Sequence, residues 1–485
     1  VAGAEQFDSA VQHWKTNLNA VAIRLPPKAQ SVVNTLKTAA AHILINRAGP
    51  ALHPGPRRYS RAWIRDGALM AAALLRIGCT DAGRDFIRWY AGYQTEEGNL
   101  PDCADSDGTE WLPEYDCWGE FIFAIMDTYR FSGDRAFLVE MWPTVLKSVD
   151  YMEALRNQRL TPEYRTPEKQ ACYGLLPESM SHEGYMAHPV HAYWDDFWAL
   201  RGLKDTAAMA VILDDRTQAQ RLTTLRDDFR DTLYASLDSV IRERQLDYIP
   251  GSVELADFDP AATAIAITVA DELHNLPTAA TDAMFANYLA GFRERARGDI
   301  PWNNYSAYEI RIIGALVRLG QRESAQELLE FFLADRRIPP WNQWPEISWR
   351  DPQGPSFIGD MPHSWIGAEY VLSIRSLFAY EREVDQSLVV AAGIAQDWLD
   401  DSGEIVVKNL PTYYGKLNYT LRREGPAVLR LMLAGTLAVP KGGIVVKPPL
   451  PRPLLQVEVN GRNIETFDAD SATCSEHPAE WVMTY

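Results

Sequence analysis

The sequence predicts a mainly α chain, with twelve helices paired into six hairpins over residues 28–384 and a small β-sandwich over 385–485. Three observations carry this reading. From about residue 28 to 383, apolar side chains recur at the 3.6-residue helical spacing. The links between these helices alternate short and long. After Glu383 the period drops to two, with Pro- and Gly-rich joints between the segments. Residues 1–27 form a lead-in.

In order, the pattern places helices near 28–46, 62–78, 80–96, 116–132, 134–157, 195–213, 215–237, 258–274, 278–297, 304–319, 321–335 and 362–383. Ala325, Leu328, Leu329, Phe332 and Leu333 share one face, opposite Arg322, Gln326, Glu327 and Glu330, as expected of an outer helix. Ala68 to Leu75 is apolar nearly all round, which requires burial on every side and so an inner helix. Pro143 marks a start or break inside the fifth helix. Gly133-Asp134 and Gly320-Gln321 are so short that their flanking helices must run antiparallel. The tail segments 404–407, 415–421, 427–433, 443–446 and 455–459 read as strands, and Asn460-Gly461 as a hairpin turn.

The long links precede the even-numbered helices and carry aromatic and polar clusters: Trp63-Ile64-Arg65-Asp66, Tyr115-Asp116-Cys117-Trp118, Tyr193-Trp194-Asp195-Asp196, Asp257-Phe258-Asp259, Trp302-Asn303-Asn304-Tyr305, and Trp344-Pro345-Glu346 with Pro362-His363-Ser364-Trp365. An inner ring of even helices brings all of them to one end. Aromatic walls with acids and amides between them suit a sugar, which stacks through its C–H face and hydrogen-bonds through its hydroxyls.

Composition narrows the alternatives. Among 485 residues, 47 basic against 65 acidic side chains leave a net charge of −18 with no basic run, which argues against nucleic acid and strongly anionic substrates. No window reaches the roughly 18 apolar residues of a membrane helix. No charged-then-apolar leader follows Val1, and the substrate class alone sets the expectation of a secreted or periplasmic setting. The five cysteines, Cys79, Cys103, Cys117, Cys172 and Cys474, contain no CxxC. His188, His191 and Asp195 do not make a metal site, because Pro189 interrupts the face, and HExxH is absent. Neither GxGxxG nor GxxxxGK[ST] occurs, so no metal and no cofactor is expected. Nothing here speaks to oligomeric state.

The hairpin count and local motifs resemble the six-hairpin glycosidases, the (α/α)6 barrels that include glucoamylases, trehalases, α-L-rhamnosidases and cellobiose phosphorylase. Trp63-Ile64-Arg65-Asp66-Gly67-Ala68-Leu69 is similar to the glucoamylase Trp-x-Arg-Asp segment that grips the non-reducing-end sugar. Trp344-Pro345-Glu346, with Met361-Pro362-His363-Ser364-Trp365-Ile366-Gly367-Ala368-Glu369-Tyr370 after it, looks like their Pro-Glu segment and final helix. The β-domain follows the barrel, an order more like the α-L-rhamnosidases. The resemblance implies an exo-acting glycoside hydrolase, inverting, on an α-linked sugar of an oligosaccharide or glycoside.

Such hydrolysis needs one protonated carboxyl and one ionised carboxylate. The resemblance makes Glu346 the base, with Asp351 a turn residue before Pro352. The acid is open between two pairs. Asp195 and Asp196 are adjacent, so repulsion raises one of them, and they match the trehalase position; as acids in a first helical turn they also read as caps. Glu178 and Glu183 lie in the loop upstream, where glucoamylases carry their acid. Arg65 and Asp66 are assigned to substrate binding. Trp63, Trp118, Trp194, Trp302, Tyr305, Trp344, His363 and Trp365 are candidates for the pocket wall. Glu114, Asp116, Glu120 and Tyr308-Glu309 read equally as capping or sugar contacts. The competing readings are a sugar phosphorylase, for which Arg350 and Arg336-Arg337 would supply cations, and a carbohydrate-binding protein without turnover.

Overall fold

The protein was analysed as a computed structural model that describes residues 2–353, 356–400 and 403–485. Among these residues are thirteen α-helices: α1 (Ala2–Leu18), α2 (Gln30–Ile45), α3 (Ile64–Arg76), α4 (Thr80–Ala91), α5 (Cys117–Ser132), α6 (Arg135–Asn157), α7 (Tyr193–Ile212), α8 (Arg216–Arg244), α9 (Pro260–Thr268), α10 (Thr278–Arg297), α11 (Arg311–Arg318), α12 (Arg322–Ala334) and α13 (Ser364–Phe378). Helix α1, in the expected lead-in, is mostly exposed. The other twelve correspond to the expected set. Helices α3, α5, α7, α9, α11 and α13 each pack on the next, and α13 closes onto α3. The remaining helices flank this ring, making an (α/α)6 barrel.

Burial follows the sequence pattern. Ile64 to Leu75 is buried at every position of α3, whereas α12 buries only Ala325, Leu328, Leu329 and Phe332. Close approach of α5 and α7 depends on two glycines. A Cβ on Gly119 would lie 2.2 Å from the Trp198 carbonyl oxygen, and one on Gly202 would lie 3.0 Å from the Gly119 Cα.

Five helix ends differ from expectation: α4 stops at Ala91 and α8 runs on to Arg244, and three more follow from the local backbone. Helix α9 stops at Thr268, and Asp271 just beyond turns the chain at φ +52°. Helix α11 starts at Arg311, because residues 304–306 are extended instead. Helix α13 ends at Phe378, because Ala379 has extended backbone and the chain pairs as a strand.

The strands are β1 (Ala22–Arg24), β2 (Ala62–Trp63), β3 (Cys103–Asp105), β4 (Gly108–Glu110), β5 (Asn304–Ser306), β6 (Ile347–Trp349), β7 (Ala379–Arg382), β8 (Ser387–Val390), β9 (Glu404–Thr412), β10 (Gly415–Arg423), β11 (Val428–Gly435), β12 (Ile444–Val446), β13 (Gln456–Val459), β14 (Arg462–Asn463), β15 (Ala472–Cys474) and β16 (Ala479–Thr484). A seven-stranded sheet runs β1-β9-β10-β11-β16-β13-β14, and a four-stranded one runs β15-β12-β8-β7. Strand β1 comes from the lead-in and pairs antiparallel with β9. The expected division at residue 384 falls inside the β7–β8 hairpin.

These sheets meet the C-terminal ends of the inner helices. Tyr413 donates to Asp127 of α5 at 3.1 Å, and Arg375 of α13 donates to the Pro411 carbonyl at 2.9 Å. The opposite end of the barrel is left open. No described helix is long and apolar enough to cross a membrane. All five cysteines are buried and unpaired.

Candidate active site

The N-terminal ends of the inner helices converge on a cavity of about 320 Å³, a size suited to a small ligand. Two short sheets set its walls. Strand β2 pairs with β3 and holds Trp63 at the start of α3. Strand β5 pairs with β6, and the Ala307 N–H donates to the Glu346 carbonyl at 2.9 Å, which brings Glu346 beside Tyr308.

Of the residues expected at the site, Trp63, Arg65, Asp66, Glu183, Trp194, Glu346, His363 and Trp365 line this cavity. The Glu346 carboxylate is held from two sides, by the Tyr59 hydroxyl at 2.6 Å and the Tyr308 hydroxyl at 3.1 Å. His363 is 3.3 Å from the same Tyr308 oxygen through Nε2, while its Nδ1 faces the Pro54 carbonyl at 3.2 Å. A carbonyl only accepts, so Nδ1 carries the proton. Burial also lowers the His363 pKa and keeps the ring neutral.

Arg65 is buried and donates through Nη1 to Glu114 at 2.6 Å, with Asp116 at 3.5 Å. Its Nη2 is 3.6 Å from Glu183, whose side chain is 44% exposed at the cavity mouth. Asp116 also accepts from the Trp194 indole at 2.7 Å, so the same carboxylate fixes a wall residue. Burial pushes Glu114 up to about 8 against the pull of Arg65. Burial likewise raises Asp66 well above its ordinary range; Arg65 opposes this, and Glu346 and Glu183 add to it.

The other expected residues lie elsewhere. Asp195 is buried beneath the loop that carries Glu183. It accepts from the Ser181 hydroxyl at 2.7 Å and from the Ser179 hydroxyl. Asp196 accepts the Leu176 N–H at 3.0 Å, and its second oxygen is buried without a partner. Glu178 points outward in an ion pair with Arg159. Trp118 packs on Tyr115 and Tyr151, and Trp344 packs on Tyr370 while donating to the Phe332 carbonyl, so both are core. Trp302 packs on Tyr305, whose hydroxyl is bound to Asp335. None of these four aromatics lines the cavity. A tryptophan before an inner helix faces either the cavity or the next hairpin, and spacing alone does not distinguish the two.

Sequence reasoning missed Tyr59, His182 and Arg311. His182 stacks on Trp194 with ring centroids 4.8 Å apart. Its loop has left-handed residues on either side of it, Ser181 at φ +51° and Glu183 at φ +61°, a conformation that non-glycine residues adopt only when contacts impose it. The Asp195 hydrogen bonds supply such contacts. Arg311 carried the same signal as Arg65, an arginine opening an otherwise apolar inner helix.

Cys172, His191 and Glu254 bring three potential metal-ligating atoms within 4.8 Å of one another. However, the Arg159 Nε–H donates to His191 Nε2 at 3.0 Å, which leaves Nδ1 as the protonated nitrogen facing Glu254 at 2.6 Å. That nitrogen has no lone pair for a cation.

No family model matches the chain. It is 29% identical over 175 residues to an uncharacterized glycosyl hydrolase of Methanocaldococcus jannaschii, a match covering 36% of this chain and 25% of that protein. Among solved structures it resembles the α-L-rhamnosidase of Dictyoglumus thermophilum, at 12% identity over 96% of this chain and 50% of the other, with a TM-score of 0.61. It also resembles the Streptomyces avermitilis α-L-rhamnosidase complexed with L-rhamnose, at 14% identity over 96% of this chain and 42% of that one, with a TM-score of 0.58. The chain therefore spans a quarter of the curated relative and half or less of these rhamnosidases. The fold is that of the six-hairpin glycosidases.

Proposed function

We propose that the protein is a glycoside hydrolase that removes one terminal, α-linked sugar with inversion. The observation that carries this reading is the pairing of Glu346, held by two tyrosyl hydroxyls, with Glu183 at the mouth of the same aromatic-walled cavity. Two hydroxyl donors fix the Glu346 carboxylate in place, as a general base requires. Arg65 and Asp66, on a rigid helix start, hold the hydroxyls of the terminal sugar. Glu346 takes a proton from water, the water oxygen bonds to the anomeric carbon, and the glycosidic C–O bond breaks. The proton on Glu183 passes to the departing oxygen, which faces the mouth.

The rhamnosidase neighbours make aryl α-L-rhamnosides the first compounds to test, within a panel of aryl α- and β-glycosides assayed with and without phosphate. The expected result is release by the wild type without phosphate, with the inverted anomer seen by NMR. Glu346→Gln is expected to lose about 10²- to 10⁴-fold in kcat, the range for a general base. Full activity of that variant overturns the assignment of the base, and release that requires phosphate overturns hydrolysis.

A further inference from the structure

A second, smaller cavity of about 60 Å³ lies inside the barrel, towards the C-terminal ends of the inner helices. Its wall includes Arg76, Arg201, Arg318 and Arg375 together with Glu381 and Glu383. Arg311 lines both this cavity and the larger one, whereas Glu369 lines only the inner one. The two form a buried ion pair, with Arg311 Nη2 2.5 Å from Glu369 Oε1. Arg311 is 4% exposed and Glu369 2%. We infer that this pair is the floor of the sugar pocket and that it limits the pocket to a single sugar residue. The inference rests on the glycosidase reading above.

Three observations support a floor over an ordinary core ion pair. First, the guanidinium lies under the aromatic wall, 5.1 Å from the Trp194 ring centroid, 5.5 Å from Tyr308 and 5.9 Å from Trp365. Second, Glu369 fixes that wall from beneath, because its Oε1 also accepts the Trp365 indole N–H at 3.2 Å. Third, Arg311 Nη1 donates to the Ala261 carbonyl at 3.3 Å, which ties the floor to the first turn of α9. Arg311 Nε is buried and has no partner, so the pair does not satisfy the whole guanidinium. The pair closes the barrel axis between a sugar-sized space and a charged one too small for a sugar. A sugar seated in the pocket places its ring edge farthest from the scissile bond against Arg311.

Removing one partner strands a buried charge and risks the fold, whereas replacing both with apolar residues of similar volume is tolerated. The test variant is therefore Arg311→Leu/Glu369→Leu, with Arg311→Lys as a second variant that retains the charge. Wild type and variants are assayed on aryl glycosides of one sugar and of a disaccharide, with product size read by mass spectrometry and folding checked by circular dichroism. The wild type is expected to release single sugars. The double variant is expected to lose about 10- to 100-fold in kcat/KM, mostly through KM, as for loss of a charge-assisted contact. Arg311→Lys is expected to recover part of this. Release of intact disaccharide by the wild type overturns the floor while leaving hydrolysis standing, and unchanged kinetics in a folded double variant does the same. If the wild type cleaves nothing, the hydrolase reading fails, and calorimetric titration with the same glycosides decides the floor. Binding weakened in the double variant supports it; unchanged binding, or none in the wild type, overturns it.

Discussion

The acidic residues around the pocket differ in their surroundings. Glu183 reaches the cavity, whereas Asp195 is locked under the same loop by two seryl hydroxyls. Asp195 is thereby tied to the loop and does not line the cavity. Glu183→Gln should leave aryl glycosides with strongly acidic leaving groups nearly unaffected and slow those with poor ones, since only the latter need a proton. Asp195→Asn should slow both alike, and a leaving-group dependence in that variant would make Asp195 the acid. Asp196 provides a test of stability. Burial raises it from its ordinary 3.8 to about 8, against the Leu176 N–H and Arg156, which pull it down. A carboxyl raised on folding stabilises fully below its unfolded pKa, and that contribution is lost as pH rises towards the folded value. Asp196→Asn mimics the neutral form, so urea melts from pH 4 to pH 8 should show the variant gaining on the wild type as pH rises. A constant difference would mean that Asp196 is ionised throughout.

At the scale of elements, the ring is held by helices that approach backbone to backbone. The contact between α5 and α7 has no room for a methyl group at Gly119. Gly119→Ala should cost about 3 kcal/mol, at the upper end for overpacking, and should lower the thermal midpoint without changing the pH profile of activity. An unchanged midpoint would show that α5 and α7 can separate freely. The twelve barrel helices were legible because outer ones such as α12 repeat an apolar period and inner ones such as α3 are apolar nearly all round. The short departures were not legible. Residues 304–306 became β5 because a partner, β6, lies about forty residues further on, and no local pattern reports that pairing. The same limit applies at Ala379, where β7 pairs with β8 and the helical period simply stops.

For the whole molecule, the two ends of the barrel have opposite characters. Inner-helix N-termini surround the open cavity, and the C-termini meet arginines and the β-sheets. Arg375 binds Glu381 through two contacts of 2.6 Å each and also reaches Pro411 in β9, so one guanidinium joins α13, β7 and the sandwich. Burial pushes Glu381 up, but Arg375 and Arg76 hold it below the usual carboxylate range. Arg375→Met should cost about 3–5 kcal/mol by stranding that carboxylate, and Arg375→Met/Glu381→Met should recover most of it. Equal melting of the single and double variants would show that the pair does not couple the barrel to the sheets.

The sequence by itself determined the hairpin barrel, its inner and outer helices, the β-rich tail, and the gathering of Trp63, Arg65, Asp66, Glu346 and His363 at one end. These follow from periodicity and from the position of each motif just before an inner helix, which are local properties. Only the tertiary structure decided which acid of the 178–196 segment meets the cavity, which tryptophans face it, and that Tyr59, His182 and Arg311 complete it. Those outcomes depend on loop paths and on the rotation of each helix about its axis. Contacts hundreds of residues apart set both, such as Tyr59 with Glu346 and Asn46 with Ser364.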